Sequence, residues 1–466
     1  MLGLARVEGP LAVWGVSVVP LDSERILVDQ TVVIEDGVIL RVGPAGEVDR
    51  SGMLAVDGRD RFLLPALADM HMHLFSLSEA ALFVANGVTL VRNMSGTPVH
   101  FAIRQKVDAG ALPGPRIVTT SPLVDGVDAA GVPVWPGTDP LVDPNDSEAL
   151  VGRYAERGYE QVKACSLLQP EALLALGQAS ARWGLPMTGH CPDAMTFEEA
   201  IDAGMRCFEH LIAIQNGHVR AGVEIPTRDH LAERLNAIAE HLDLDCIRTL
   251  ARRMAQGDIW NCPTLTVMEG FAHDPEQART NPLLRYEPES VIRSWLPEND
   301  FRFSETDLKA TSAAQRRLNE RMTAVVGILH QEGAPLLVGT DTPIPWVIEG
   351  FSVHDELAHF QYAGMSAYEA ICCATVNPAR FLGEDESRGL VKEGHTADLM
   401  LVRGNPLESL ETLRQPEAVF CNGFFLPDVT STACSIDACK RSPPSTCRHR
   451  PYQMQSPKPS RCGQVS

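Results

Sequence analysis

The chain has 466 residues, 44% of them hydrophobic and 21% charged, and a formal net charge of −20 at pH 7. This length allows one large domain with an extensive core and a smaller one beside it. The acidic balance argues against a nucleic-acid surface, which needs clustered Lys and Arg to bind phosphates, and favours a small-molecule substrate.

Short β-type runs occur near both ends of the chain. Residues 11–48 alternate strand-like segments with turn residues, which predicts a small sheet. The same alternation of strand-like segments and turn residues occurs again in TADLMLVRG and PEAVFCNGFFL, around Gly and Asn-Gly turns. We therefore expect a small β-sandwich-like domain assembled from residues 1–62 and 381–427.

Strands and helices alternate between these ends, over residues 63–380. Eight apolar segments are predicted strands: RFLLPALADMHMH, VTLVRNM, RIVTTSPL, QVKAC, PMTGHC, CFEHL, WNCPTLT and PLLVGTD. Amphipathic stretches such as PEALLALGQASARWG fall between them and end near Gly, as helix C-termini do. Eight such units predict an α/β fold, a (β/α)8 TIM-like barrel; a doubly wound open sheet is the alternative for the same alternation.

The tail, residues 428–466, differs from everything before it. It has five prolines, four cysteines, six basic residues and two acidic ones, without sustained periodicity. This composition predicts a disordered tail, to which we assign no function.

The sequence also bears on location. No apolar run reaches the roughly 18 to 20 residues that cross a bilayer, so no membrane association is expected. Arg6 and Glu8 interrupt the N-terminal region where a signal peptide needs an apolar segment. The eight cysteines from Cys165 to Cys421 lack metal-type spacing and are expected to be reduced. We therefore expect a cytoplasmic protein.

Two histidines one residue apart end the first barrel strand, in LADMHMHLFS. Residues i and i+2 of a strand project to one face, so His71 and His73 can point together into a barrel mouth. That spacing suits a metal ion, but two histidines on a half-buried strand are at least as common. The pair alone leaves both interpretations open.

Four further polar side chains lie at the ends of later strands: Lys163, His190, His210 and Asp341. Each alone has a structural interpretation, as a solvated lysine, a core histidine or a helix N-cap. Barrel enzymes assemble their active sites at the C-terminal ends of the strands, so the ordered set predicts one site.

These segments, in this order, resemble the amidohydrolase superfamily of metal-dependent hydrolases, specifically its imidazolonepropionase-like and Xaa-Pro dipeptidase-like branch. The resemblance covers nearly everything from residue 12 to 427 and is carried by segments that include LLPALADMHMH, GYEQVKA, TGHCPD, GMRCFEHL and VGTDTP. It implies a metal-bearing (β/α)8 barrel with a β-sandwich-like domain built from both chain ends. Ala66 stands where Gly is usual and Asn93 where Asp is frequent, but neither departure removes a ligand.

The resemblance further implies two divalent metal ions, expected to be Zn²⁺, with the ligands His71, His73, Lys163, His190, His210 and Asp341. The first two histidines would bind one ion and the other two the second. Lys163 would be carbamylated and bridge the ions, because an N-carboxylate offers an oxygen lone pair that an ammonium lacks. Asp341 would contact the first ion and handle the proton of the attacking water.

Such a site implies hydrolysis of an amide or peptide-like C–N bond in a small substrate. A hydroxide bridging two metal ions would attack the carbonyl, and Asp341 would act as general base and then general acid. His354 and Glu356, in SVHDEL, are candidate substrate contacts, with an ordinary helix start as the alternative.

Two alternatives stay open. A mononuclear cyclic-amide hydrolase or deaminase of the same superfamily would keep Lys163 as an unmodified amine. A non-enzymatic scaffold would be expected to lose ligands, whereas this chain retains all six positions. The sequence leaves the substrate open, and it leaves the oligomeric state open, with a homo-oligomer as one option. Residues 267–310 show no motif that identifies a substrate, and their length makes them a candidate lid loop.

Overall fold

Two β-sheets organise the chain in the computed structural model, which describes residues 5–6, 8–300 and 307–427. The predicted disordered tail, residues 428–466, lies outside the described residues. The strands are β1 Ala5–Arg6, β2 Leu11–Val18, β3 Leu27–Glu35, β4 Val38–Pro44, β5 Leu54–Asp57, β6 Phe62–Pro65, β7 Leu67–Met72, β8 Val88–Asn93, β9 Arg116–Asp125, β10 Asp139–Pro140, β11 Gln161–Ala164, β12 Met187–Gly189, β13 Met205–Glu209, β14 Trp260–Cys262, β15 Leu399–Val402, β16 Ala418–Cys421 and β17 Phe424–Leu426.

Helices fill the connections between the strands. The α-helices are α1 Leu77–Ala85, α2 Pro98–Asp108, α3 Ser147–Arg157, α4 Pro170–Trp183, α5 Phe197–Asp202, α6 Ile212–Gly217, α7 Leu231–His241, α8 Leu244–Gly257, α9 Leu265–Gly270, α10 Pro275–Ala278, α11 Glu289–Ser294, α12 Leu308–Gln331, α13 Ser352–Tyr362, α14 Ala367–Cys373 and α15 Val376–Phe381. Short 3₁₀ turns lie at Pro144–Asp146, Arg228–His230, Pro282–Tyr286 and Leu410–Arg414. Within the described residues, no helix combines the length and the apolar character needed to cross a membrane.

Seven parallel strands form the barrel wall, in the order β14-β13-β12-β11-β9-β8-β7. Residues 335–342 fill the gap between the two edge strands: Leu336 forms a parallel bridge to Asn261 of β14, and Thr342 one to Met72 of β7. The predicted strand PLLVGTD is thus present as a bridging segment rather than a continuous strand. This arrangement confirms the barrel over the open sheet.

The second sheet is built from both chain ends, with the strand order β1-β17-β16-β15-β6-β2-β3-β4 and β5 beside β2. Strand β6 pairs antiparallel with β15, so Leu64 lies opposite Met400. Leu11, Leu63 and Leu399 are among the buried residues of its separate core. The sheet domain made from both ends is therefore confirmed. The predicted division at residues 62 and 381 stays a prediction, and β6 extends past the first of these points.

The predicted strand RFLLPALADMHMH is two strands. Strand β6 belongs to the sheet of the chain ends and β7 to the barrel, and the switch falls at Ala66. Pro65 has no N–H to donate, and the Ala66 N–H bonds Asp398 O while the Leu67 N–H bonds Gly87 O. One apolar run therefore serves two sheets, which its composition could not reveal.

Residues 267–300 are not an irregular loop. They contain the end of α9, the helices α10 and α11, and a 3₁₀ turn. Asp274 and Asn281 accept backbone hydrogen bonds at the starts of two of these turns. Helices of four to six residues are too short to show a hydrophobic period, so the sequence pattern missed them.

Candidate metal centre

Strand β7 and the segment after the barrel gap bring three predicted ligands together. Asp341 Oδ1 lies 3.2 Å from His71 Nε2 and 3.1 Å from His73 Nε2. The Asp341 N–H also donates to the carbonyl of His71, at 2.7 Å, and Asp341 has a φ of 61°. The backbone therefore turns at Asp341 and directs its carboxylate towards both histidines.

The other predicted ligands lie beside this group. The His210 ring is 4.5 Å from the His71 ring and 5.0 Å from the His190 ring, centroid to centroid. Lys163, at the end of β11, is 1% exposed, and its charge is among the causes that lower the pKa of both His190 and His210. The structure thus gathers all six predicted metal ligands at one end of the barrel.

A partner holds the second ring nitrogen of three of these histidines. His71 Nδ1 lies 2.7 Å from Glu209 Oε2. His190 Nδ1 is hydrogen-bonded to the Ser166 hydroxyl at 3.0 Å, and His210 Nδ1 to the Thr264 hydroxyl at 2.8 Å. Such contacts orient an imidazole and leave Nε2 for a metal. The sequence interpretation missed these partners, although Glu209 directly precedes His210 and offered a signal.

Burial sets the protonation states. It lowers the pKa of His210 to about 3 and that of His190 well below its usual value, in both cases with help from the charge on Lys163. Burial opposes ionisation of Asp341, yet the facing His210 and His71 hold its pKa well below the ordinary range. His73, His190 and His210 therefore stay neutral and the Asp341 carboxyl stays ionised, the forms in which these groups bind metals.

These residues fit a divalent cation. Lys163 Nζ and His71 Nε2 are buried and form no hydrogen bond with any described residue. His71, His210 and Asp341 each place a ligand atom within 4.8 Å of the others. With Glu209 engaging Nδ1, the Nε2 lone pair of His71 converges with a carboxylate oxygen, an arrangement that a cation stabilises. Imidazole and carboxylate donors suit Zn²⁺ and similar ions.

The two candidate substrate contacts bind other parts of the protein. Glu356 accepts hydrogen bonds from the backbone N–H groups of Leu265 and Thr266, at 2.9 and 2.7 Å, at the start of α9. His354 Nε2 lies 3.1 Å from the carbonyl oxygen of Asn86, and burial lowers the pKa of His354 to about 3. A substrate role for His354 and Glu356 stays a prediction.

A barrel that gathers histidines, a lysine and an aspartate at the carboxyl ends of its strands has the architecture of a metal-dependent hydrolase. The profile of the Amidohydrolase family matches residues 62–426, and the chain belongs to this family. It is therefore a hydrolase that acts on carbon–nitrogen bonds, as the sequence predicted.

Solved structures share the fold. A bottromycin amidohydrolase is 24% identical, with 92% of this chain and 90% of that chain covered and a TM-score of 0.75. A Xaa-Pro dipeptidase with bound methionine in the active site is 18% identical, with 90% and 99% covered and a TM-score of 0.66. A prolidase complexed with N-methylphosphonate-L-proline is 16% identical, with 90% and 100% covered and a TM-score of 0.66. No curated protein sequence matches the chain.

Proposed function

We propose that this hydrolase is binuclear and cleaves an amide or peptide-like bond of a small substrate. The observation that carries the proposal is the Lys163 amine, buried without a hydrogen bond among the described residues and beside the histidine cluster. Left as an ammonium, it would be a buried cation without a hydrogen-bonded partner among the described residues, which is costly. Carbamylation would convert it into an anionic oxygen ligand between the two histidine pairs.

In this proposal, the six predicted ligands bind the metal ions and Asp341 also transfers a proton. His71 and His73 would hold one ion and His190 and His210 the second, and a carbamylated Lys163 would be a ligand shared by both. Two divalent ions, Zn²⁺ in our proposal, would lower the pKa of a bound water to near neutrality and would polarise the substrate carbonyl. The Asp341 carboxylate, ionised beside His71 and His210, accepts the proton of the attacking water and delivers it to the leaving nitrogen.

The substrate class is supported by the similar structures, which include a bottromycin amidohydrolase and a Xaa-Pro dipeptidase. The first name refers to the hydrolysis of an amide and the second to that of a dipeptide. We therefore propose a dipeptide or an N-acyl amino acid as substrate, with His354 and Glu356 as its candidate contacts. A cytoplasmic location, a lack of nucleic-acid partners and a homo-oligomeric state stay predictions.

The test is elemental analysis of the purified protein, together with the mass of the Lys163 peptide under bicarbonate. We expect two metal ions per chain, one added CO₂ on Lys163, and hydrolysis of dipeptides or N-acyl amino acids. Lys163→Met should lower metal content and activity together. Lys106→Met, at an exposed position of α2, is the matched control and should change neither. Full metal content and activity in Lys163→Met would refute the bridging role.

One observation favours a second candidate, a mononuclear cyclic-amide hydrolase or deaminase. His71, His210 and Asp341 form one compact donor group that draws from both predicted histidine pairs. One metal ion per chain, with an unmodified Lys163, would favour this candidate and redirect the substrate screen to cyclic amides and amino-substituted rings.

A further inference from the structure

A fully buried arginine lies inside the barrel next to the metal centre. The guanidinium of Arg92, on β8, donates to the carbonyl of Met70 on β7 and to the Gln161 side chain on β11. It also donates to the Thr188 hydroxyl on β12, at 3.3 Å, and to Glu209 Oε1 on β13, at 2.8 Å. One side chain therefore joins its own strand to four others of the barrel wall.

The positions of these contacts in the sequence are regular. Met70 and Glu209 directly precede His71 and His210, while Gln161 and Thr188 lie two residues before Lys163 and His190. Each arginine contact thus falls one or two residues before a predicted ligand. The guanidinium forms a layer of hydrogen bonds beneath the ligands, on the strands that carry them.

Glu209 links this layer to the ligands themselves. Its Oε1 accepts hydrogen bonds from Arg92 and, at 2.7 Å, from the Thr188 hydroxyl. Its Oε2 lies 2.7 Å from His71 Nδ1. Both charged side chains are completely buried, so the charge of each is compensated inside the protein rather than by water.

We propose that Arg92 and Glu209 are positioning residues of the metal centre. The carboxylate accepts the proton on His71 Nδ1, which fixes the tautomer with the Nε2 lone pair facing Asp341. The guanidinium fixes the carboxylate and sets the spacing of the four ligand-bearing strands. This inference rests on the proposed function for the presence of a metal, but the orientation of His71 is a property of the metal-free protein.

Geometry argues against a role in stability alone. A buried ion pair adds little net stability compared with apolar residues of the same volume, so stability does not explain it well. The forked guanidinium can meet several acceptors in fixed directions at once, which a lysine ammonium on a flexible stem cannot do. A carboxylate behind a metal-binding histidine is a known means of orienting the imidazole.

The experiment compares Glu209→Gln and Arg92→Lys with the wild type. Affinity for Co²⁺ and Zn²⁺ is titrated on folded, metal-free protein, and the His71 tautomer is read from ¹⁵N chemical shifts of labelled histidine. We expect Glu209→Gln to weaken metal binding roughly 10- to 100-fold and to populate the second His71 tautomer. Arg92→Lys should weaken binding in the same direction. Glu171→Gln and Arg153→Lys, at exposed helix positions, are matched controls and should match the wild type.

The outcomes separate this inference from the proposed function. Glu209→Gln with unchanged metal affinity and an unchanged His71 tautomer would overturn the positioning role, even if its unfolding temperature fell. A second outcome is that the wild-type protein binds no metal while Glu209→Gln loses the Nδ1–H tautomer of His71. This outcome would refute the proposed function and support the role of Glu209 in orienting His71. If Glu209→Gln does not fold, Thr188→Val removes one donor to Glu209 and keeps both charges. It should weaken metal binding by a smaller factor, and unchanged affinity there would count against the proposal.

Discussion

Gly339 shows how closely the barrel fits around His71. A Cβ atom at this position would lie 2.4 Å from Cys262 Sγ, 2.7 Å from the His71 backbone nitrogen and 2.8 Å from its Cβ. A Cβ atom does not come this close to a non-bonded atom, so either strand β7 or the segment that contains Gly339 would have to move. The absence of a side chain at Gly339 therefore helps to place His71, a predicted metal ligand.

We expect Gly339→Ala to destabilise the protein by about 1–3 kcal/mol through overpacking. It should also lower metal affinity, because the displaced backbone carries His71. Equilibrium unfolding and metal titration measure the two effects. Gly46→Ala is the control, since a Cβ there would have no neighbour within 4 Å. Wild-type metal affinity in Gly339→Ala would show that the ligand tolerates the shift.

Single residues also show where sequence reasoning succeeds and where it stops. His71 and His73 could be predicted because strand periodicity places i and i+2 on one face. Glu209 was visible beside His210, but the partners of Glu209 and Thr264 could not be predicted, because they depend on which histidine each faces across the barrel. Arg92, a charge inside an apolar strand, was visible in VTLVRNM, but its partners come from strands distant in the sequence.

At the scale of elements, helices α9 and α13 support the site from one side. Glu356 of α13 accepts from the first N–H groups of α9, and Thr264, just before α9, contacts His210. A second contact lies further along both helices, where His359 Nε2 is 2.8 Å from Glu269 Oε2. The position of α9 is therefore coupled to a predicted metal ligand.

This ion pair predicts a pH-dependent contribution to stability. Burial acts to lower the pKa of His359, but Glu269, Glu356 and Asp355 raise it above the usual value of a histidine. His359 in turn lowers the pKa of Glu269. A raised folded-state pKa means that the histidine's contribution is complete below the unfolded pKa and is lost as pH rises through the folded one. Because the pKa of Glu269 is lowered, the ion pair's contribution to stability is also lost at low pH, as the pH falls through the folded-state pKa of Glu269.

We therefore expect Glu269→Gln to reduce the free energy of unfolding near pH 6, with a smaller reduction as the pH rises past the pKa of His359. The effect should stay below about 1 kcal/mol, because Glu269 is half exposed and screened by water. Urea unfolding of both proteins from pH 6 to 9 measures it. A difference that stays constant across this range would assign the loss to packing instead.

Residues 271–300, the described segment after α9, show what the hydrophobic pattern could not predict. Trp295 Nε1 donates to the carbonyl of Pro343 at 3.2 Å, and the Trp295 ring lies 5.7 Å from that of Trp346. The segment thus packs on the loop that follows Asp341. The long interval between two predicted strands indicated a long connection here. How this connection packs depends on tertiary contacts, which the sequence pattern does not show.

At the scale of the whole molecule, metal binding should be coupled to stability. A ligand that binds only the folded state raises its stability in proportion to the logarithm of the ligand concentration over Kd. We expect chelation to lower the unfolding temperature and added Zn²⁺ to restore it. Differential scanning fluorimetry of chelated and reloaded protein measures this, with added Mg²⁺ as the control. Equal unfolding temperatures for the chelated and reloaded protein would contradict it.

The overall topology was largely predictable because each barrel unit repeats one local pattern, an apolar strand followed by an amphipathic helix. The segment that closes the barrel, residues 335–342, was harder to predict as a strand, because it makes only isolated bridges to the strands on either side. The switch at Ala66 was not predictable, because both sheets need the same apolar residues.

The pairing of β6 with β15 has a consequence for protein synthesis. Residue 65 leaves the ribosome long before residue 399, a separation of roughly 330 residues. At about 5–20 residues per second, that is a wait of roughly 15 to 70 s. During this time β6 has an unpaired edge, which is a ready site for association with other chains. A nascent chain that stops before residue 399 lacks β15, so this edge of β6 is first covered once β15 has been synthesised.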